Sequence, residues 1–490
     1  MLLIILAISI AIIYFYITDY YRFFEKLGYP CVKPSFPFGS FKNVGRSEHI
    51  SEFMRREYEN FKDKGPAFGV YQAFRKTLVL TDLDAIKDVL VKRFDIFYSH
   101  VIDFAFSNDT LFHSLFFVDG QRWKDMRAVL TPVFSSSKIR LMFPSISKQS
   151  DRMIEYIKQT CGNKDCCELG NIYSSYTTEV IANVAFGLDI ECLGNPENEF
   201  YKAAYEFLNP SSSGRVKALL MMSFPKIANL FGMSLNSKGT REFFNKVVRD
   251  NIEYREKNNI HRNDFFQQRI RILHNKTEMT MEEIVANCFI FLLAGFETSS
   301  STLTFCSYEL ALNQDVQDRL REEIFEVLER HKGEVTYEAI MEMKYLEMVL
   351  LETLRKYPIL EAQTRRAAKD YQIPNSKLVI PAGTVVLIPT IGFNYDETHH
   401  YEPEKFDPER FNEENVKARE PFVFLPFSEG PRFCIGNRIG PVQTKIALVK
   451  LLKNFSIHPC TKTLIPLEIS PSSLLQAPKG GMWLKVEKLS

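Results

Sequence analysis

The sequence predicts a mainly α-helical body with small β-sheets, an α+β chain, preceded by one helix that crosses a membrane. Three observations carry this. Leu2 to Ile17 form an apolar run without a charge. Helical periodicity dominates the middle of the chain. Short alternating runs, Phe68 to Leu80 and Lys377 to Pro389, read as strands, the second a hairpin turning at Pro381-Ala382-Gly383.

The N-terminal run of about 17 residues, at ~1.5 Å per residue, reaches ~26 Å, close to the thin bilayer of the endoplasmic reticulum. No basic residue precedes it, and bulky Tyr14, Phe15 and Tyr16 stand where a cleavage site needs small residues. An uncleaved anchor therefore fits better than a signal peptide. Arg22, Lys26 and Lys33 follow the run and place the remainder in the cytosol. Pro30, Pro34 and Pro37, with Gly39, predict a stiff, non-helical connector. The organisation expected is an anchor over 1–18, a proline-rich hinge over 19–37 and one large domain over 38–490.

Composition narrows the class. The 490 residues carry 61 basic and 60 acidic side chains, a net charge of +1, so bulk electrostatics do not point to nucleic acid. The nine cysteines are scattered without a CxxC pair. Cys161, Cys166 and Cys167 lack the paired spacing of a zinc site and read as reduced surface or loop thiols, implying a reducing compartment.

Four motifs carry chemistry. Trp123 and Arg127, four apart, share a helix face and offer donors to a carboxylate. A long helix starting near Thr280, with capping-box spacing to Glu283, contains Ala294-Gly295-Phe296-Glu297-Thr298-Ser299. There small residues leave room for a small ligand, and an acid beside a hydroxyl makes a proton relay. Glu352 and Arg355 share a face in an apolar helix, so burial would demand a further partner, which Arg410 offers. Finally, Phe427-Ser428-Glu429-Gly430-Pro431-Arg432-Phe433-Cys434-Ile435-Gly436 brings a thiol, two glycines and a cation just before an amphipathic run, Ile446 to Phe455. A thiolate is a strong metal ligand, and glycines admit a flat partner. Taken singly, each has a plainer explanation: close helix packing, a surface ion pair, a buried thiol.

Taken in order, the four motifs resemble the cytochrome P450 family over essentially the whole chain, in particular its animal microsomal, drug-metabolising branch. The resemblance implies the cytochrome P450 fold and a haem-thiolate monooxygenase. Cys434 would be the axial ligand of haem b iron. Trp123, Arg127, Arg432 and Arg365 would bond the haem propionates, Phe427 would pack beside the thiolate loop, and Gly436 would let it approach the haem. Glu297 and Thr298 would deliver protons to O2. Glu352, Arg355 and Arg410 would form a buried structural triad. Electrons would come from NADPH through a membrane-bound NADPH–cytochrome P450 reductase, with cytochrome b5 as a second donor, because the chain shows no dinucleotide or flavin motif. Lys445, Lys450 and Lys453 would charge the docking face.

The same resemblance implies a lipophilic small-molecule substrate of xenobiotic, steroid or fatty-acid type. Its walls would be Phe104, Phe106, Phe112, Phe116, Phe117, Leu219 to Met222, Phe224, Phe231, Ile359 and Leu360. Lys217 to Met233 would dip into membrane lipid, and the location would be the endoplasmic reticulum membrane. Two other classes are weighed: a haem-thiolate isomerase or dehydratase acting on peroxides, and a non-catalytic haem or lipid binder. Intact Glu297-Thr298 favours the monooxygenase.

Three departures stand out. His399-His400 occupy a place where the family has an aromatic residue, and read as surface histidines. No basic residue near position 100 assists the propionates unless His100 does. Gly440-Pro441 predicts a kinked or delayed helix behind Cys434.

Overall fold

The computed structural model describes residues 1–100, 109–162, 164–260, 262, 264–267 and 279–489. Phe104 and Phe106 lie outside these. Helix α1, Leu2–Tyr20, is apolar and buries none of its residues against the body. It runs two residues beyond the expected anchor, and a short α2, Phe23–Lys26, follows. The hinge is therefore partly helical. Phe24 and Tyr29 are buried against the body, so the segment is fastened to it. Apolar side chains among the prolines explain the difference.

The body is built on α9, Met281–Leu312, almost wholly buried along its length. Its capping box forms as expected, with the Thr280 side chain on the Glu283 amide and the Glu283 carboxylate on the Thr280 amide. Against it pack α5 (Leu169–Ile181), α10 (Lys344–Lys356) and α11 (Ile439–Asn454); α4 (Ser136–Cys161) packs on α5 and α11, and α3 (Gly120–Leu130) reaches the central helix through Arg122 on Glu283. On one side α6 (Ser212–Ser223) and α7 (Pro225–Leu230) leave apolar side chains exposed before α8 (Lys238–Lys257).

The sheets are small. β1 (Ala67–Gln72) and β2 (Arg75–Leu80) form an antiparallel hairpin, β2 runs parallel to β7 (Val385–Ile388), and β7 pairs antiparallel with β4 (Gln363–Arg366). β3 (Cys167–Glu168), β9 (Trp483–Lys488) and β8 (Phe455–Pro459) form a second sheet. The expected hairpin over 377–389 does not form. Its turn does, with Thr384 N–H on the Pro381 carbonyl, but Val379–Ile380 (β6) pairs with Tyr371–Gln372 (β5) while Val385–Ile388 joins the larger sheet. Gly383, at φ 81°, donates to Ala367 O and sends the two halves apart.

Two other expectations are corrected. Cys161 pairs with Cys167 and Cys166 with Cys460, at Cα separations of 5.5 and 5.7 Å, so these are not reduced thiols. The strand register explains it: Cys167 and Pro459 both lie opposite Leu484 of β9, which delivers Cys460 beside Cys166. The inference of a reducing compartment from cysteine spacing loses its ground. The second, a kinked or delayed helix at Pro441, narrows to the delay. Helix α11 begins only at Ile439, after a turn over 435–438, so Pro441 sits in the first turn, where the missing N–H has no intrahelical partner to lose.

Candidate active site

The loop before α11 folds so that Cys434 N–H donates to Phe427 O at 2.8 Å, closing Phe427 and Cys434 into one turn. Gly430 has φ 75°, and a Cβ there would collide with Leu90 O at 2.0 Å, so only glycine fits. A Cβ on Gly436 would stand 3.7 Å from the Cys434 sulfur, and the Gly436 N–H bonds that sulfur. Burial raises the thiol pKa; the Gly436 amide and the Arg127 charge oppose it. Deep as it lies, the Cys434 side chain is exposed, as are Phe433 beside it and Ala294 across from it.

Beside the loop three guanidiniums converge. Arg432 donates to Tyr98 O and Val118 O, both at 3.0 Å, and lies 4.3 Å from the Trp123 ring centroid. Arg365, from β4, donates to Thr364 O at 2.8 Å and Ser428 Oγ at 3.4 Å. Arg127, on the face of α3 that carries Trp123, lies over the Phe433 ring. Burial and mutual repulsion lower Arg432 to about 9, and burial lowers Arg365 to about 10. His100 adjoins them and is held well below the usual histidine value, first by burial and then by Arg365 and Arg432.

Three buried guanidinium donors of this cluster lack partners among the described residues: Arg127 Nη2, Arg365 Nε and Arg432 Nη1. Orphan donors on clustered cations call for an anion. A haem with two propionates, above an open cysteine, fits that demand. His100, kept neutral by burial and the neighbouring guanidiniums, adjoins the cluster without adding a charge.

Glu297 and Thr298 lie on α9. Thr298 Oγ1 donates to Ala294 O at 2.6 Å, and Thr302 Oγ1 to Thr298 O at 2.8 Å. Burial pushes Glu297 up to about 7, against a weak bond from Ser301 Oγ at 3.5 Å. Of the two small residues expected to make room for a ligand, only Ala294 does so. Gly295 instead meets α5, where a Cβ would clash with Ile181 Cδ1 at 2.3 Å.

The cytochrome P450 family model matches residues 30–484. The chain belongs to the cytochrome P450 family. Among similar proteins, probable cytochrome P450 6a23 of Drosophila melanogaster is 39% identical, over 100% of this chain and 99% of its own. Probable cytochrome P450 6a20 of the same fly is 36% identical over 98% of both. Cytochrome P450 6A1 of Musca domestica is 34% identical over 96% of this chain and 94% of its own. As a family member the chain is a monooxygenase, an oxidoreductase that uses haem iron and O2.

In this P450 the expected triad comes together. Arg355 Nε donates to Glu352 Oε2 at 2.7 Å and Nη2 to Oε1 at 2.8 Å, both side chains fully buried. Arg410 Nε reaches Glu352 Oε1 at 3.3 Å. Arg355 also donates to the Asn394 and Pro403 carbonyls at 2.8 Å, tying α10 to the long loop that leads to Cys434.

Two expectations fail. Lys445 and Lys450 are buried, paired with Glu347 at 2.5 Å and Asp151 at 2.6 Å, and Lys453 donates to Gly333 O. Carboxylates neutralise the Lys445 and Lys450 ammonium groups, so these two do not make a positive docking face. His400 is buried, and burial lowers its pKa to about 3, so only His399 approaches the surface. Among the described residues no histidine, cysteine and carboxylate groups gather as a metal site.

Sequence reasoning missed Gln443. Its Nε2 donates to Gly295 O at 3.0 Å and also bonds Ser299 Oγ, joining α11 to α9 beside Glu297. Nothing in the sequence singled it out, since α11 also carries Thr444, Lys445, Lys450 and Lys453.

Proposed function

We propose a membrane-anchored monooxygenase that hydroxylates lipophilic small molecules with electrons from NADPH through a flavoprotein reductase, with cytochrome b5 as a second donor. The observation that carries this is the open cysteine beside three buried guanidiniums whose donors lack an anion. Cys434 would hold the haem iron; Trp123, Arg127, Arg365 and Arg432 would hold its propionate edge; Phe427 and Gly436 would shape the loop under it. The haem, once bound, supplies O2 activation. Glu297 holds a proton near neutral pH, and Thr298 sits next to it with a hydroxyl to pass that proton on. A peroxide isomerase has no use for that pair.

The substrate class is argued from the walls. Phe112, Phe116 and Phe117 stack with centroids 4.4 and 5.1 Å apart, and Phe116 lies 5.2 Å from the His100 ring, at the edge of the arginine cluster. Phe116 and Leu360 are 40% and 50% exposed, an apolar surface beside the cradle. The anchor, about 1–18 and continuing as helix to Tyr20, would hold the domain from 38 onward at the endoplasmic reticulum membrane. The exposed apolar residues of α6 and α7 would rest in lipid. With Lys445 and Lys450 buried, exposed Lys124 and Arg438 near the Cys434 loop would face the reductase.

The test is the spectrum of the reduced carbon monoxide complex of the haem-loaded chain. Wild type should show the red-shifted Soret band of thiolate ligation, and Cys434→Ser should lose it while keeping helical content. A red-shifted band surviving in Cys434→Ser would refute the ligand assignment.

A further inference from the structure

Several exposed apolar parts of the chain meet at one ring. Phe74, at the tip of the β1–β2 hairpin, packs against Tyr20, Tyr21, Phe36 and Phe224, with centroids 5.7 to 6.4 Å apart. The Tyr20 hydroxyl also donates to the Phe74 carbonyl. The end of α1, the hinge and the α6–α7 corner therefore share one side of the molecule. A membrane that takes up α1 would meet all three.

At this junction a cavity of about 150 Å³ is lined by Tyr16, Asp19, Tyr20, Phe23, Lys26 and Lys76. Its two lysines differ. Lys26 is bonded to Asp19. Lys76 has no carboxylate within ion-pair reach among the described residues; its ammonium lies 3.6 Å from the Phe23 centroid and 4.5 Å from that of Tyr20. Burial lowers its pKa, the Asp19 charge partly offsets this, and the Lys26 charge lowers it further. The lining holds two cations and one anion, an excess positive charge with rings on one side. An anion from outside the chain would complete it. Where an apolar helix ends at a bilayer surface, the abundant anions are lipid phosphates.

We propose that Lys76, flanked by Lys26, Tyr16, Tyr20 and Phe23, binds the phosphate of an anionic phospholipid headgroup at the junction of anchor and body. Its premise is the membrane anchor proposed above. An anionic lipid is favoured over a zwitterionic one because Asp19, the one carboxylate in the lining, is already taken by Lys26 and is not free to receive a choline or ammonium group.

The haem-loaded full chain, placed in nanodiscs of phosphatidylcholine with about 20 mol% phosphatidylserine, is assayed for lipid retained after release into native mass spectrometry. Wild type should retain phosphatidylserine in preference to phosphatidylcholine. Lys76→Gln should retain about fivefold less, the effect of one lysine at a membrane surface. Lys76→Arg should keep the preference, and Lys26→Gln should change it less than Lys76→Gln. Equal phosphatidylserine retention by wild type and Lys76→Gln overturns the site. Displacement by water-soluble glycerophosphoserine at matched concentration would mean that a free phosphate ester suffices, and overturns the lipid assignment. Flotation with pure phosphatidylcholine vesicles separates the premise: a chain that does not float refutes the anchor and the site together, whereas a chain that floats but retains phosphatidylserine in the nanodiscs only as well as Lys76→Gln does refutes the site alone.

Discussion

Two buried carboxylates hold opposite sides of this P450, and they are held differently. Glu352, behind the Cys434 loop, is met by two guanidiniums, Arg355 and Arg410, and by the Asp407 amide at 2.9 Å. Asp109, on the side of the exposed α6 and α7, is met among the described residues by neutral donors. It accepts from Ser234 Oγ, from Asn236 N at 3.1 Å, from Asn236 Nδ2 at 3.0 Å and from Leu111 N at 3.3 Å. Arg241 donates to the Ser234 hydroxyl at 2.9 Å. Where two guanidiniums fix an acid, losing one strands a buried charge. Where hydroxyl and amide groups fix it, water can take their place. The haem side is thereby locked, while the clasp that joins the residues after 108 to the segment before α8 is releasable.

The strongest way to break this contrast is Arg355→Leu. It leaves Glu352 buried with only Arg410, and removing one partner of a buried pair costs about 3–5 kcal/mol. Denaturant unfolding should show that loss, and the purified variant should carry little haem. A loss under about 1 kcal/mol would mean that the backbone carbonyls around Arg355, not the ion pair, hold this region.

A smaller effect is expected from Asp109→Ala. Hydrogen bonds to a charged group contribute about 1.5–3 kcal/mol, so exchange at the Leu111 and Asn236 amides should quicken by roughly 10- to 100-fold. Exchange within α10 should stay as it was. If α10 loosens equally, the two sides form one cooperative unit and the contrast dissolves.

Legibility in the sequence follows the same division. Glu352, Arg355, Arg410, Thr298 and Cys434 were readable because their motifs, taken in order, resemble those of the cytochrome P450 family, and because spacing along a helix puts Glu352 and Arg355 on one face. The capping box at Thr280 was readable from its spacing as well. The Asp109 clasp was not: aspartate, serine and asparagine are ordinary loop residues, and their meeting depends on a separation of 125 to 127 residues. The 377–389 strands were legible as strands but not in their partners, since the turn at Gly383 says nothing about which sheet receives each half. Lys445 and Lys450 were misplaced because a lysine on a helix reads as surface unless its carboxylate partner, Glu347 or Asp151, is seen across the gap. The Cys166–Cys460 disulfide escaped because 294 residues separate its ends.

Glu297 lies between the two sides, on α9, and gives the finest test. Burial raises its carboxyl to about 7, above the ordinary 4.5, so the folded protein binds this proton more tightly than the unfolded chain. As pH rises from about 5 through 7, the folded state must either keep a proton the solvent withdraws or bury a charge, and stability falls. Glu297→Gln carries no such penalty. Its melting temperature should match that of wild type near pH 5 and exceed it at pH 8. The same substitution removes the group that takes up and gives a proton beside Thr298. Product formed per O2 consumed, which in wild type should vary with a midpoint near pH 7, should become low and flat in the variant. A midpoint that survives in Glu297→Gln would assign the titration to another group and leave Thr298 without its proton donor.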